Sequence, residues 1–191
     1  MELKEEFIVK NYAQFKRALS EYVGEEFTDK IIKEMGGENV VVYSTFLDKA
    51  DTNMAYQGAL IHNILRITAY ATKINNILPE EQRVDKNSLV KVCILSHIAR
   101  AVMFEENDNS WEINNRGMIY KYRETEGALR VGERSILMAM NCGVKFTPTE
   151  FEAMRIMDQK PDDIMSKMFS TTLSMVVRQA NEMVYQIYKN G

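Results

Sequence analysis

Apolar residues recur every three or four positions along most of this 191-residue chain, and this spacing restricts its fold more than any other feature. Such spacing places apolar side chains on one face of an α-helix. Residues 39–46 (NVVVYSTF) form the one β-branched run, which predicts either a short strand or an extended connector. Three prolines and nine glycines leave few helix breakers. We therefore expect an all-α fold, a single-domain bundle of roughly six to eight helices.

The composition narrows the class of protein. Hydrophobic residues make up 46% of the chain, which is enough to fill the core of one compact domain. The net charge of −3 argues against non-specific nucleic-acid binding. The first residues lack the apolar core of a signal peptide, and no uncharged apolar run approaches the roughly 18 residues of a membrane span. We expect a cytoplasmic protein without membrane association, in which Cys93 and Cys142 are buried free thiols rather than a disulfide.

Helical stripes and capping signals recur along the chain, but the periodicity fades over residues 105–130. That segment holds the single tryptophan, Trp111. It is either a lid or binding loop or a plain surface excursion, and Trp111 is either an interface anchor or a residue folded back on the body.

The predicted helices are residues 11–23, a short helix capped at Thr28, residues 53–77, a helix capped at Asp85, a helix begun by a capping box of Thr147 and Glu150, and a last helix opened by Pro161.

The predicted helix over residues 85–100 carries a polar pair on its inner face, Ser96 and His97. The phrase ILSHIAR (residues 94–100) resembles the L-L-H-D-I-G-K phrase of the His-Asp (HD) metal-dependent phosphohydrolases, in which the His-Asp pair binds a divalent metal. In this chain Ser and His hold those two positions. The inner face is expected to consist of Leu89, Val92, Cys93, Ser96, His97 and Arg100.

Other phrases, in the same order, resemble one branch of that family. Residues 56–67 (YQGALIHNILRI) resemble Y-x-G-G-L-x-x-H-S-L-R-V, and residues 131–137 (VGERSIL) resemble H-G-E-R-S-V. Residues 147–155 (TPTEFEAMR) resemble L-T-x-E-E-x-A-I-R. The resemblance implies an HD-like helical domain at residues 53–191, with residues 1–52 as a helical extension packed on its core.

The resemblance also implies five metal-ligand regions, and all five are changed in this chain. Hydrolytic divalent metals prefer imidazole nitrogens and carboxylate oxygens, and His97 is the one strong donor among the replacing side chains. His62 neighbours the first region, but on a helix it points about 100° away from that face. We therefore expect neither a bound metal nor a cofactor. The changed regions hold Asn63, the pair Ser96–His97, Val131, Met157 and Asn181.

Three arginines lie about one helical turn beyond these positions: Arg66, Arg100 and Arg134. If the fold is HD-like, their guanidinium groups converge on the rim of the former metal pocket, where they would bind phosphate without a metal. The simpler alternative is solvated arginines paired with glutamates. His97 is most simply a core histidine satisfied by one hydrogen bond, with a leftover ligand or a general base as alternatives.

These residues predict a catalytically inactive HD-like domain that acts as a binding or interaction module. The expected partner is a phosphorylated small molecule or nucleotide, a second copy joined through the Met- and Tyr-rich C-terminal end, or another protein. The alternative is an HD-type phosphohydrolase with a rebuilt site that uses His97 and the arginines. The candidate binding residues are Asn63, Arg66, Ser96, His97, Arg100, Arg134, Met157 and Asn181.

Overall fold

A computed structural model describes residues 3–47, 53–123, 128–157 and 171–189. Two short strands, β1 (Phe104–Glu106) and β2 (Tyr120–Tyr122), pair antiparallel, and a 3-10 turn spans Glu80–Gln82. The helices in these ranges are α1 (Glu5–Tyr22), α2 (Glu25–Glu34), α3 (Glu38–Tyr43), α4 (Ala59–Ile77), α5 (Lys86–Leu95), α6 (Arg100–Met103), α7 (Ser110–Arg116), α8 (Val131–Asn141), α9 (Pro148–Ile156) and α10 (Thr172–Lys189).

The all-α expectation is confirmed. Helix α4 packs along α10, α5 and α1, and α9 lies against α8, α10 and α5. One hydrophobic core joins these layers, from Ile8 and Phe15 on α1 to Val176 and Val184 on α10. Because the N-terminal helices α1 to α3 share this core, they belong to the same compact body. The division at residue 52 stays a prediction.

The structure corrects the prediction for residues 39–46. The β-branched run predicted a strand or a connector, but Glu38–Tyr43 forms helix α3 and only the residues after it are extended. Val41 and Val42 are buried on the core side of this helix. A lone strand would leave its backbone N–H and C=O groups unpaired, whereas a helix satisfies them internally, so burial of the valines outweighs their β-propensity.

The predicted caps at Asp85 and at Thr147–Glu150 are confirmed, the predicted cap at Thr28 is wrong, and the starts of the first, the second and the long helix move; the first helix begins at Glu5. The Asp85 side chain accepts a hydrogen bond from the Ser88 N–H, and Thr147 and Glu150 form a reciprocal capping box. The second helix begins at Glu25, after Gly24, so Thr28 lies inside it. The long helix begins only at Ala59, because the preceding residue, Gly58, has a φ of 79° that ends the helix toward its N-terminus. Pro161 lies outside the described residues.

Val176, Ala180, Met183 and Ile187 recur at helical spacing in the sequence and predict the inner face of α10, but the observed inner face is rotated from this stripe. Val176 and Ala180 are buried as expected, but Met183 and Ile187 are 39% and 45% exposed. The buried positions continue instead through Asn181 and Val184. This rotation brings the Asn181 amide into the interior, where it meets α5 and α9.

Helices α8 and α9 touch at a glycine. A Cβ atom added to Gly132 would lie 2.0 Å from the backbone oxygen of Met154, so the two helices approach here as closely as a glycine permits. Gly132 of the VGERS phrase is therefore required by the close packing of the two helices and not by a positive φ.

Residues 105–130, predicted as irregular, contain α7 between the two strands. Cys93 and Cys142 are buried free thiols, as expected. Within the four described ranges, no helix combines the length and the apolar character needed to span a bilayer.

Candidate functional site

Ser96, His97 and Arg100 follow the end of α5 and are buried, as the spacing predicted. The α-helix ends earlier than expected, at Leu95, where the Ser96 hydroxyl donates to the carbonyl of Val92. Backbone hydrogen bonds three residues apart then continue the helical path through to Arg100. This tighter path keeps the same inner face, so the polar residues stay directed into the core.

Both ring nitrogens of His97 take part in hydrogen bonds. Nε of Arg100 donates to Nδ1 at 3.2 Å, and Nε2 lies 3.0 Å from Oδ1 of Asn181. Because an arginine Nε–H can only donate, Nδ1 must be the unprotonated nitrogen. Nε2 therefore carries the proton and donates it to the Asn181 oxygen. His97 is a neutral core histidine with two partners, one more than the simplest expectation.

Arg100 is buried and holds three acceptors. Besides His97, its NH1 donates to the Phe46 carbonyl at 2.9 Å and its NH2 donates to the Tyr185 hydroxyl at 2.8 Å. The guanidinium carbon also lies 4.5 Å from the centre of the Phe46 ring. These neutral groups solvate the buried charge, so Arg100 is neither the solvated arginine nor the rim arginine that the sequence suggested.

Asn181 extends this set of contacts to α9. Its Nδ2 donates to the backbone carbonyl of Met157 at 3.2 Å. The Met157 side chain is buried, but its carbonyl is the group that makes this bond. We call the hydrogen-bonded series from Arg100 through His97 and Asn181 to Met157 the core polar chain. It links α6, the turn after α5, α10 and the residue that follows α9.

Electrostatics keep His97 uncharged. Burial and the neighbouring Arg100 guanidinium lower the pKa of His97 far below its ordinary value, against a smaller opposing effect of the Asn181 hydrogen bond. A general base needs a free nitrogen that reaches a substrate proton. Neither nitrogen of His97 is free in this arrangement.

The residues at the positions where the resemblance implied metal ligands do not fit a hydrolytic divalent metal. Asn63 and Ser96 are neutral, and both lie at 0% exposure. The side-chain amide of Asn63 donates a hydrogen bond to the Ala59 carbonyl of its own helix at 2.8 Å. In the described part of the chain, no three His, Cys, Asp or Glu side chains are grouped closely enough to hold a metal ion. The donor set is one imidazole whose two nitrogens are already hydrogen-bonded.

Asn63 belongs to a second polar group near the surface. NH1 of Arg66 lies 3.3 Å from Oδ1 of Asn63, and its guanidinium carbon stacks 3.7 Å from the centre of the Tyr188 ring on α10. Beside it, the Tyr56 hydroxyl lies 2.9 Å from Nδ1 of His62. Burial and Arg66 lower the pKa of His62 to about 4. His62 is partly exposed, as its direction away from the inner face predicted. Its contact with Tyr56 was not predicted, since nothing in the spacing places Tyr56 over the first turn of α4.

The three candidate arginines take different surroundings. Arg66 contacts α10, Arg100 lies in the core, and Arg134 makes its interactions from α8, which packs against α9, α5 and α2. A cavity of about 350 Å³ is lined by Arg100 and by none of the other seven candidate residues. Its further charged and aromatic lining comes from Tyr43, Phe104, Glu105, Glu106, Tyr120 and Arg123.

Comparison with protein-family models, with curated proteins and with solved structures gave no match to this chain.

Proposed function

We propose that this chain is a catalytically inactive HD-like domain that works by binding a macromolecular partner. The observation that carries the proposal is the occupation of both His97 ring nitrogens, by Arg100 and Asn181. The strongest donor left at the former metal positions serves the stability of the core. The two buried free thiols, Cys93 and Cys142, suit a reducing compartment, so we propose a cytoplasmic location.

A phosphorylated small molecule or nucleotide has less support as the partner. Arg100 donates through Nε, NH1 and NH2 to internal acceptors, and Arg66 is stacked on Tyr188 and bonded to Asn63. The cavity that Arg100 lines carries Glu105 and Glu106 against Arg100 and Arg123, so its lining has no net positive charge that would attract a phosphate. The side chains of Arg66 and Arg100 are therefore already engaged in internal contacts, which makes them less available to bind phosphate.

Activity assays test the absence of catalysis. The purified protein is incubated with phosphate mono- and diesters in the presence of Mn²⁺, Co²⁺ or Mg²⁺, beside His97→Ala and Arg66→Gln variants. We expect the same background turnover for all three proteins. Metal-dependent turnover that either variant abolishes would instead support the rebuilt phosphohydrolase, and Arg66→Gln keeps the test valid should His97→Ala fail to fold.

Calorimetric titration with common mono- and dinucleotides tests the kind of partner. We expect no binding heat. A saturable heat that Arg66→Gln or Arg134→Gln weakens would show that the partner is a phosphorylated small molecule and would overturn the macromolecular version of the proposal.

A further inference from the structure

The cavity of about 350 Å³ that Arg100 lines lies where α3, α6 and the two-stranded sheet come together. Arg100 and Ala101 form its buried end, since they are 5% and 3% exposed. Its volume is near the lower limit of the range of about 300–1,000 Å³ that is usual for small-molecule sites, which suits a ligand of amino-acid size. Trp111, on the helix between the two strands, is 58% exposed and is not part of the lining, so it does not fold back into this cavity.

Arg100 brings a positive charge without a counter-ion to the buried end of this cavity. Among the described residues, no carboxylate lies within ion-pair distance of its guanidinium. A guanidinium has five N–H groups, and three of those on Arg100 donate to His97, Phe46 and Tyr185. Two N–H groups are therefore left, which is enough for one small carboxylate. Because the present partners are all neutral, a carboxylate at this end would compensate the buried charge.

Glu106 brings a negative charge to the solvent-facing part of the same cavity. Its side chain is exposed, and it forms no ion pair with any other residue in the described ranges. Glu105 differs, since its carboxylate lies 3.4 Å from Nε of Arg123 and 3.5 Å from Nζ of Lys121. The charges of Glu105 and Arg123 therefore balance each other. Arg100 and Glu106 are the two charges of the lining that a ligand can still pair with.

Aromatic side chains accompany Glu106 in the lining. Tyr120 is paired directly with Glu106 in the register of the sheet, so the two side chains project from the same face. Burial and the charge of Glu106 raise the pKa of Tyr120, as expected for a phenol close to a carboxylate. Phe104 and Tyr43 supply two further rings, and the hydroxyl of Tyr43 donates to Glu5. A carboxylate beside aromatic rings attracts an ammonium group through its charge and through cation–π contacts.

We propose that this cavity binds a free α-amino acid as its zwitterion, with the carboxylate at Arg100 and the ammonium group at Glu106. The separation of a buried positive charge from an exposed negative one matches a ligand that carries both charges and has no net charge of its own. Val40 and Ala101 leave an apolar part of the lining for a small side chain. The inference goes beyond the proposed function, because this site depends neither on the loss of catalysis nor on a macromolecular partner.

Calorimetric titration of the protein with each proteinogenic amino acid, one at a time, tests the site. We expect saturable binding of at least one of them. The amide of that amino acid lacks the carboxylate and its N-acetyl derivative lacks the ammonium group, so each derivative should bind about 10-fold more weakly or worse. The absence of saturable heat with every amino acid overturns the inference. Equal binding of either derivative also overturns it, because the ligand would then not be recognised as a zwitterion.

A substitution at the exposed part of the cavity locates the binding. Glu106→Gln removes one charge from an exposed side chain and should weaken binding of the amino acid about 10-fold, but not binding of its N-acetyl derivative. Glu81→Gln, at an exposed position outside the lining, is the matched control and should bind like the wild type. Unchanged affinity in Glu106→Gln overturns the inference. None of these results bears on the proposed lack of catalysis, which the activity assays address.

Discussion

Nε of Arg100 donates a hydrogen bond to Nδ1 of His97 across 3.2 Å in the core of the domain. One buried residue therefore determines the tautomer of another, because the guanidinium cannot accept. A histidine in this position keeps its structure-forming role only while it is neutral.

His97→Ala should lower the free energy of unfolding by about 2–5 kcal/mol, because it leaves a cavity and removes partners from Arg100 and Asn181. Urea unfolding measures the change. Gln179→Ala, at an exposed position of α10, is the control and should change the stability little. Unaltered stability of His97→Ala would mean that the core polar chain does not stabilise the fold.

Asn181→Asp should raise the pKa of His97, because a carboxylate in place of the amide stabilises the imidazolium form. NMR titration of the ring protons measures this directly, and the chain has only two histidines. His62 serves as the internal reference and should titrate as it does in the wild type. An unshifted His97 would show that Nε2 is not bonded to residue 181.

Gly132→Ala should destabilise the protein by about 3 kcal/mol or more, since its Cβ would overlap the Met154 carbonyl. Helix propensity alone predicts the opposite sign, a gain of about 1 kcal/mol. Thermal and urea unfolding decide between the two. Leu137→Ala, on the exposed side of the same helix, is the matched control and should be nearly neutral.

The stability should fall as the pH drops below the ordinary histidine pKa of 6.5. His62 has a folded pKa of about 4, so the unfolded chain binds more protons than the folded chain between these values. This contribution is complete above pH 6.5 and is lost as the pH falls toward 4. His62→Gln should unfold with a shallower pH dependence over that window, and parallel profiles for the two proteins would contradict the burial of His62.

Glu152→Ala should weaken the start of α10. Oε1 of Glu152 accepts from the Thr171 N–H at 3.0 Å and from the Ser174 hydroxyl at 2.6 Å. Loss of such a cap costs about 1–2 kcal/mol. Hydrogen exchange at the first turn of α10 should accelerate, whereas Gln179→Ala should leave that turn unchanged. Equal protection in both variants would show that Glu152 does not hold the helix end.

Local chemistry explains which parts of the fold could be predicted. Asp85 and the Thr147–Glu150 box bond to backbone groups within three residues, so the sequence around them specifies those helix starts. The burial of Ser96 and His97 followed equally well from spacing along one segment. The prediction of a strand or connector at residues 39–46 was wrong because the valines of helix α3 are stabilised by a core assembled from distant parts of the chain.

Local patterns sufficed to predict that this protein is helical, where several of its helices begin, and which polar residues enter the core, because periodicity and capping act over a few residues. The partners of those polar residues depend on how the helices pack. His97 and Asn181 are 84 positions apart, and their contact depends on the rotation of α10 against α5. Hydrogen bonds across such separations arise from the packing of whole helices, and no local pattern records them.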